Sequence, residues 1–434
     1  MWKLSLIVFG SALFYAAWDV RFVPLLWFTA LLDFMVARRI DASADAGARK
    51  RWLVLSLVAN LGVLGLFKYL GFLSTTAFGL VSLFGVHAVP VELQILLPAG
   101  VSFYTFQSMS YTIDVYRREF PARNQPLELL AAVSFFPHLV AGPIIRAKVL
   151  LPQFDKFELA TWQQFRFGIA LAAVGLLKKT VADFLGGPSD ALFSNPAPSA
   201  LEAWTGALAF AGQIYGDFSG YTDIAIGVAA ILGFTLPKNF DQPYLATSPV
   251  DFWRRWHISL SSWLRDYLYI PLGGNRKRRW LNLFLTMLLG GLWHGASWTF
   301  VAWGGYHGAL LAAQHALGFT QPATGAVRWV SRALTFYLVL LGWVLFRAAT
   351  FKGALGVLKA MHGLGDSASS LTYSAGATLV FVVLGLVLCH LATHVFERKP
   401  VTERGLWLWP VTAMLLAVCF GLGAGGRAFI YFQF

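Results

Sequence analysis

The chain has 434 residues, of which 57% are hydrophobic and only 13% are charged. Soluble domains carry about 25% charged residues, so this composition excludes a water-facing exterior. The net charge of +13 would suit nucleic-acid binding in a soluble protein, but here the basic residues lie between apolar runs, where they fix membrane orientation. We therefore predict an all-α polytopic integral membrane protein with lipid around it and no nucleic-acid partner.

Apolar segments succeed one another along the chain, and several approach the ~20 residues that cross a bilayer. They fall near residues 2–18, 22–37, 52–67, 70–86, 91–113, 127–145, 165–186, 200–216, 222–236, 281–293, 296–317, 328–348, 375–396 and 406–424. Some are short, which predicts roughly eleven to thirteen membrane helices in one domain over residues 1–434, together with interfacial helices. The first segment lacks a small-x-small cleavage site, so we expect it to remain as a membrane helix.

Two basic segments predict the orientation. Residues 38–51 contain Arg38, Arg39, Arg49, Lys50 and Arg51. A second basic stretch runs from Arg254 to Arg279 and includes Arg-Lys-Arg-Arg at residues 276–279. Short loops rich in lysine and arginine stay in the cytoplasm. The loops 38–51 and 271–279 are therefore predicted to be cytoplasmic, with the first two helices forming a hairpin whose N-terminus is also inside.

Residues 251–270 have a different pattern. Apolar, mostly aromatic residues recur there at helical spacing: Phe252, Trp256, Leu260, Trp263 and Tyr267. Polar and charged residues occupy much of the remainder. This pattern predicts one amphipathic helix that lies in the membrane interface, with its aromatic rings at headgroup depth.

Ionisable residues inside apolar segments are costly and are therefore functional candidates. They are Asp114, His138, Arg146, Asp217, Asp223, His257, His294 and His307. Asp33, Lys178 and Lys179 are predicted to lie near segment ends, where their side chains reach the interface.

His294 is the strongest candidate. It follows the basic run by about fifteen residues, which is some 20 Å along a straight helix. Desolvation there favours a neutral imidazole, which can take a proton from a hydroxyl and return it later. The flanking Gly290, Gly291 and Gly295 allow close approach of another segment. The alternative is a histidine hydrogen-bonded between helices for packing, and the residue alone leaves both interpretations open.

Asp217 and Asp223 lie in a glycine-bearing apolar segment that we interpret as a pair of helices. They are candidates to orient an imidazole or to hold a polar group of a donor, and the alternative is that Asp217, Ser219 or Asp223 caps a helix break. His390 and His394 share a helix face without a third ligand, so no metal is predicted. No phosphate loop and no Gly-x-Ser-x-Gly nucleophile motif occurs in the sequence.

Taken in order, seven strings resemble the membrane-bound O-acyltransferase family, most closely its bacterial alginate O-acetylase branch. They are Leu97–Gln107, Tyr111–Arg117, Phe135–Arg146, Asp217–Gly227, Phe252–Gly274, Gly290–Gly295 and Trp343–Ala348. The two strings that contain His257 and His294 are highly specific together. The resemblance covers most of the chain.

The resemblance implies an essential His294 in the Trp-His-Gly string and a second histidine, His257, in the Arg-Trp-His string. Trp293 and Arg265 are expected beside them along a substrate tunnel, with Asp217 or Asp223 in support. The implied architecture is a bowl of tilted helices, open to a donor from the cytoplasm and to an acceptor from outside. The implied location is the bacterial inner membrane.

The implied activity is transfer of an acetyl group towards an exported polysaccharide. Acetyl-CoA is the expected donor, no bound cofactor is expected, and a periplasmic or membrane-anchored acetyltransferase partner would complete the transfer. One alternative within the family is D-alanyl transfer to teichoic acid, although the string Tyr-Ile-Pro-Leu-Gly-Gly-Asn favours the polysaccharide branch. A second alternative, a transporter or flippase, predicts inverted repeats, and none is apparent in the sequence.

Overall fold

The computed structural model describes residues 2–85, 95–140, 142–195, 197–318, 324–365, 373–397, 408–421 and 427–430. Regular secondary structure within these ranges is helical, which confirms the predicted all-α class. The chain divides into two compact units, Met1–Leu159 and Ala160–Phe434. The prediction of one domain over the whole chain is not tested by this division.

The first unit contains eight helices among its described residues. They are α1 (Trp2–Asp19), α2 (Val23–Ala42), α3 (Ala46–Leu64), α4 (Leu70–Ser82), α5 (Val101–Tyr116), α6 (Pro126–Ser134), α7 (Phe136–Leu139) and α8 (Ala147–Asp155). A 3-10 turn, Val20–Phe22, joins α1 to α2, and a π turn, Gly65–Tyr69, joins α3 to α4. The result is two long apolar helical stretches, Trp2–Ala42 and Ala46–Ser82, each able to cross a bilayer.

The predicted basic loop 38–51 is mostly helical. Helix α2 runs to Ala42 and α3 begins at Ala46, so only three residues separate them. The Asp45 side chain accepts from the backbone N–H groups of Gly47 and Ala48, and so caps the free end of α3. The arginines and lysine therefore lie on helix ends on both sides of a tight turn, rather than along a loop.

Asp33 is not near a segment end, as the sequence predicted, but in the core of the first unit. Its carboxylate is fully buried and accepts from Ser56 Oγ at 2.5 Å and from Asn60 Nδ2 at 2.8 Å. Ser108 Oγ also donates to it. The prediction failed because three polar partners on α3 and α5 meet this carboxylate, which removes the need to reach the interface.

The second unit contains ten helices among its described residues. They are α9 (Trp162–Ser194), α10 (Ala200–Ile231), α11 (Pro249–Arg255), α12 (Ile258–Leu264), α13 (Arg279–His294), α14 (Trp298–Ala316), α15 (Gly325–Arg347), α16 (Phe351–Met361), α17 (Tyr373–Glu397) and α18 (Leu408–Gly421). A π turn, Arg265–Tyr269, follows α12. Capping boxes begin α9 at Thr161 and α10 at Ser199.

Helices α9 and α10 lie in backbone contact through glycines. A Cβ added at Gly168 would be 2.5 Å from the carbonyl oxygen of Gly227, and one at Gly175 would be 2.5 Å from that of Gly220. Small residues permit this close approach in membrane helix pairs. Because α10 is continuous, the predicted pair of helices over residues 200–236 is wrong.

Three helical stretches are long and apolar enough to cross a membrane among the residues that the structure describes. They are Trp2–Ala42, Ala46–Ser82 and Gly325–Arg347. Only 17% of the apolar window of Ala46–Ser82 is buried within the protein, which leaves most of its surface available to lipid. The chain is thus a multi-pass membrane protein, while the number of roughly eleven to thirteen spans stays a prediction.

Candidate active site

The site lies in the second unit, where the chain breaks at His257. The sequence predicted one helix over residues 251–270, but α11 ends at Arg255 and α12 begins at Ile258. Between them His257 adopts the left-handed conformation, with φ of +45° and ψ of +54°. A non-glycine residue pays a conformational cost there, so the surrounding contacts must impose it. This turn places the His257 ring inside the protein instead of on a helix surface.

The aromatic stripe of this segment is buried in protein. Phe252 is 1% exposed and Trp256 is fully buried, and Leu260, Trp263 and Tyr267 are also buried. The Trp256 ring packs against Trp343 at 4.8 Å and against Phe240 at 5.0 Å, centroid to centroid. The predicted position of these rings among lipid headgroups is therefore wrong, because periodicity identifies a buried face but not what covers it.

Asn239 holds the His257 ring and its backbone. The Asn239 Oδ1 atom lies 3.2 Å from His257 Nδ1, and it accepts from Ser259 N at 3.1 Å and from Ser259 Oγ at 2.8 Å. The backbone carbonyl of Asn239 accepts from Ile258 N at 2.9 Å. Asn239 was not among the residues predicted from the sequence. An isolated asparagine outside any helical pattern carries no signal that would single it out.

His294 is the last residue of α13, which confirms a single helix from the basic run to this histidine. Its side chain is 4% exposed, and aromatic rings surround it. Centroid distances are 5.0 Å to Trp293, 5.1 Å to Trp303, 5.5 Å to Phe346 and 6.4 Å to His257. The structure thus brings together the two predicted histidines and Trp293. It also places Trp303 and Phe346, which the sequence did not single out, against the His294 ring.

Glycines hold α14 against the end of α13. A Cβ at Gly291 would lie 2.3 Å from the carbonyl oxygen of Phe300, and one at Gly304 would lie 2.4 Å from that of Met287. A Cβ at Gly295 would collide with the Phe300 ring at 2.2 Å. The predicted close approach of another segment is confirmed at Gly291 and Gly295. This contact sets the position of His294 relative to Trp303 of α14.

Asp217 and Asp223 point from α10 to lysines of α9. Lys178 Nζ donates to Asp223 Oδ2 at 2.5 Å, and Lys179 Nζ lies 2.8 Å from Asp217 Oδ1. The backbone N–H of Ile430 also donates to Asp217, at 2.6 Å. Capping of a helix break is therefore wrong for these residues. Orientation of an imidazole by either carboxylate stays a prediction, and the side chain seen to hold an imidazole is Asn239.

The structure places Lys178 and Lys179 within the protein and Arg265 at its surface. The Lys178 side chain is only 2% exposed and ends at Asp223, so its predicted extension towards the interface is wrong. Lys179 is 15% exposed and is likewise paired within the protein. Arg265 lies in the π turn after α12 with 63% of its side chain exposed, and it pairs with Asp266 at 2.6 Å. Its place along a tunnel remains a prediction.

The other predicted ionisable residues lie in packed surroundings. His307 Nδ1 accepts from Trp253 Nε1 at 3.4 Å, and the ring lies 5.0 Å from that of Trp303. His390 stacks on Tyr244 at 5.4 Å, while the His394 side chain lies outside the described residues.

In the first unit, Asp114 pairs with Lys148 at 3.3 Å, His138 Nε2 lies 3.2 Å from the Ala132 carbonyl oxygen, and Arg146 precedes α8.

The arrangement of the second unit suits proton transfer in a water-poor space. The two imidazole rings lie 6.4 Å apart, centroid to centroid and inclined by 60°, among aromatic side chains, and Asn239 holds the His257 ring. No group of three or more His, Cys, Asp and Glu side chains that could hold a metal ion occurs in the parts of the chain that the structure describes. Acyl transfer to a hydroxyl requires a base of this kind and a surrounding that excludes competing water.

The sequence profile of the membrane-bound O-acyltransferase family matches residues 117–350, which include this whole site. The chain belongs to that family and is an O-acyltransferase. It is 42% identical to the probable alginate O-acetylase AlgI of Pseudomonas aeruginosa, over 92% of this chain and 78% of that protein. It is 37% identical to the peptidoglycan O-acetyltransferase of Helicobacter pylori, over 90% of this chain and 76% of that protein. It is 27% identical to the teichoic acid D-alanyltransferase of Bacillus subtilis, over 58% of this chain and 69% of that protein.

Proposed function

We propose that the protein is an O-acetyltransferase that moves an acetyl group from a cytoplasmic thioester, acetyl-CoA, towards an exported polysaccharide of the alginate type. The observation that carries this function is the pairing of His257 and His294 inside an aromatic enclosure. The names of the relatives at 37–42% identity support acetyl transfer to a polymer outside the cytoplasm.

His294 acts as the general base in this proposal. The oxygen of the acceptor hydroxyl attacks the thioester carbonyl carbon while His294 takes the hydroxyl proton. The new C–O bond forms, the C–S bond breaks, and the proton passes from His294 to the departing thiolate. The protein ends unchanged, the products are an acetyl ester and free CoA, and His257 is the second histidine that faces the reacting groups.

The setting follows from the same proposal. The protein lies in the bacterial inner membrane, with the basic residues near 254–279 on the cytoplasmic side, where they attract the anionic donor. A periplasmic or membrane-anchored acetyltransferase partner accepts the group and completes its transfer to the polysaccharide. Asp217, Asp223, Trp293 and Arg265 support binding or positioning along the path.

D-alanyl transfer to teichoic acid is the second candidate, and it rests on a relative with lower identity and coverage. Transport without chemistry is set aside, because the family consists of O-acyltransferases. The two enzyme candidates differ in their donor, so the donor separates them.

The test uses the full chain in an alginate-producing strain whose own acetylase gene is deleted. The wild-type chain should restore acetyl esters on the polymer, measured by NMR of the secreted alginate, and His294→Ala should not. Membranes with the wild-type chain should also release thiol from acetyl-CoA in the presence of the partner. Release of D-alanine from a carrier protein, with acetyl-CoA left intact, would overturn the acetyl assignment.

A further inference from the structure

We propose that Asn239 is a positioning residue that holds His257 as the tautomer protonated on Nδ1, so that Nε2 presents a lone pair to the reacting groups. The hydrogen bonds around Asn239 carry this inference independently of the substrate. Its mechanistic meaning rests on the proposed function, in which the His257 ring faces the acyl transfer.

The neighbours of the Asn239 amide determine its orientation. The backbone N–H of Ser259 is a donor in every protonation state, and it lies 3.1 Å from Asn239 Oδ1. An amide nitrogen in that place would oppose one donor to another. The opposite end of the amide, Nδ2, lies 3.5 Å from Thr222 Oγ1, a hydroxyl that can accept. The local contacts therefore fix the oxygen towards Ser259 and His257.

The amide oxygen of Asn239 determines which nitrogen of His257 carries the proton. The same Oδ1 atom lies 3.2 Å from His257 Nδ1 and carries only lone pairs. A bare Nδ1 would place two lone pairs against each other, whereas an Nδ1–H group donates to the oxygen. A neutral imidazole has one N–H donor and one acceptor nitrogen, and the partner of one nitrogen determines the state of the other. Nε2 is then the nitrogen that accepts.

The Ser259 hydroxyl is the competing donor for Nδ1. It lies 2.8 Å from Asn239 Oδ1 but 3.5 Å from His257 Nδ1. The shorter contact shows that this hydroxyl donates to the amide oxygen. Ser259 therefore reinforces the acceptor that His257 uses, rather than protonating the ring from the other side.

Asn239 also fixes the backbone that carries the ring. Its carbonyl oxygen accepts from Ile258 N at 2.9 Å, and its side chain accepts from Ser259 N, so one residue binds the two peptide groups that follow His257. The left-handed turn at His257 is thus tied to the same residue that selects its tautomer. Asn239 is 1% exposed, which keeps water from competing for these bonds.

The consequence for acyl transfer is a division of hydrogen-bonding roles. An imidazole with a bare Nε2 accepts a proton or a hydrogen bond from a hydroxyl or thiol, but it does not donate to a thioester carbonyl. His257 would then help to align the hydroxyl acceptor or receive the thiol proton. Outer hydrogen bonds that orient metal-bound histidines are worth about 10–100-fold in activity, and we expect an effect of the same order for the bond between Asn239 and His257.

The direct test is the nitrogen-15 spectrum of the full-length, histidine-labelled protein in lipid, with His257→Gln subtracted to isolate the His257 signals. We expect the wild type to show a protonated Nδ1 and a bare Nε2. Asn239→Leu removes the acceptor and should release the ring to the other tautomer or to a mixture. Asn239→Asp retains an acceptor and should keep Nδ1 protonated.

The matched control is Thr222→Val, which removes the contact at the other end of the Asn239 amide and should leave the tautomer unchanged. In acetyl transfer assays, Asn239→Leu should lower kcat by about 10–100-fold with little change in KM for the donor, and Asn239→Asp should recover most of that loss. A merely structural asparagine would not give this tautomer change or this recovery.

A bare Nδ1 in the wild-type spectrum, or an unchanged tautomer in Asn239→Leu, would overturn the inference. If Asn239→Leu does not accumulate in the membrane, the test uses the wild-type and Asn239→Asp spectra. An unprotonated Nδ1 on His257 in either of them would overturn the inference. The spectra need no turnover, so a failure of the proposed acetyl transfer would leave this result standing. Conversely, acetylation can be lost with His294→Ala even if Asn239 does not select the tautomer.

Discussion

The rings of His257 and His294 lie 6.4 Å apart, centroid to centroid, although one belongs to a left-handed turn and the other ends a helix. Trp293 contacts both rings, at 6.2 Å and 5.0 Å. A hydroxyl and a thioester that meet at this pair would be shielded from bulk water. This shielding strengthens electrostatic interactions and suppresses hydrolysis of the acyl donor.

His294→Ala should leave acetylated polymer undetectable while the protein still accumulates in the membrane, because loss of a general base costs about 10²–10⁴-fold. His294→Gln should be equally inactive, since glutamine forms hydrogen bonds but exchanges no proton at neutral pH. Polymer acetyl content and membrane yield are the measurements. Restoration of acetylation by glutamine would show that the residue serves packing.

His257→Ala should lose as much acetylation as His294→Ala or somewhat less. His307→Ala should be the mildest of the three, because His307 lies against Trp253 and Trp303 and is assigned to packing. A larger loss of activity for His307→Ala than for His294→Ala, at equal membrane yield, would show that His307 and not His294 is the catalytic base.

The Lys178–Asp223 pair should show strong coupling between its partners. Lys178→Met leaves the Asp223 carboxylate, whose side chain is 14% exposed, without its cation. Removal of one partner of a buried ion pair lowers the free energy of unfolding by about 3–5 kcal/mol, and we expect a loss of up to that size here. The double variant Lys178→Met with Asp223→Leu removes both charges and should recover most of the lost stability. Thermal unfolding in detergent measures the effect.

The exposed pair Lys238–Asp241 offers the matched control, with side chains that are 42% and 49% exposed. Lys238→Met should change the unfolding temperature little, as is usual for surface pairs. Additive losses in the Lys178–Asp223 double variant would show that the two charges do not depend on each other.

Gly291→Ala should lower both stability and acetylation, because its Cβ would lie 2.3 Å from the Phe300 carbonyl oxygen and force α13 away from α14. Overpacking of this kind costs about 1–3 kcal/mol. Gly305→Ala, whose Cβ would lie 3.5 Å from Leu288 Cδ1, should be tolerated. Equal effects of the two substitutions on unfolding temperature and activity would disprove the role of the close contact.

The two basic segments should be cytoplasmic. After replacement of Cys389 and Cys419, single cysteines at Ser43 and Asn275 should resist an impermeant thiol reagent in intact cells and react after permeabilisation. The reason is the cost of translocating short segments rich in lysine and arginine. Labelling of both sites from outside would reverse the predicted orientation.

The sequence by itself determined the membrane class and the helical architecture, and it singled out His257 and His294 as candidate site residues. Composition and the length of the apolar runs are properties of the chain that need no tertiary contact to be recognised. The Arg-Trp-His and Trp-His-Gly strings likewise identified His257 and His294, together with the family to which the chain belongs.

Only the tertiary structure decided which partners these residues have. Periodicity identified the face that contains Trp256 as buried, but the rings of Phe240 and Trp343 that cover it come from distant parts of the chain. Asp223 was recognised as costly in an apolar segment, yet its lysine lies one helix away. Asn239 gained its role solely because the fold brings its amide oxygen to His257 Nδ1, and hydrogen-bond geometry of that kind is set by packing and not by local sequence.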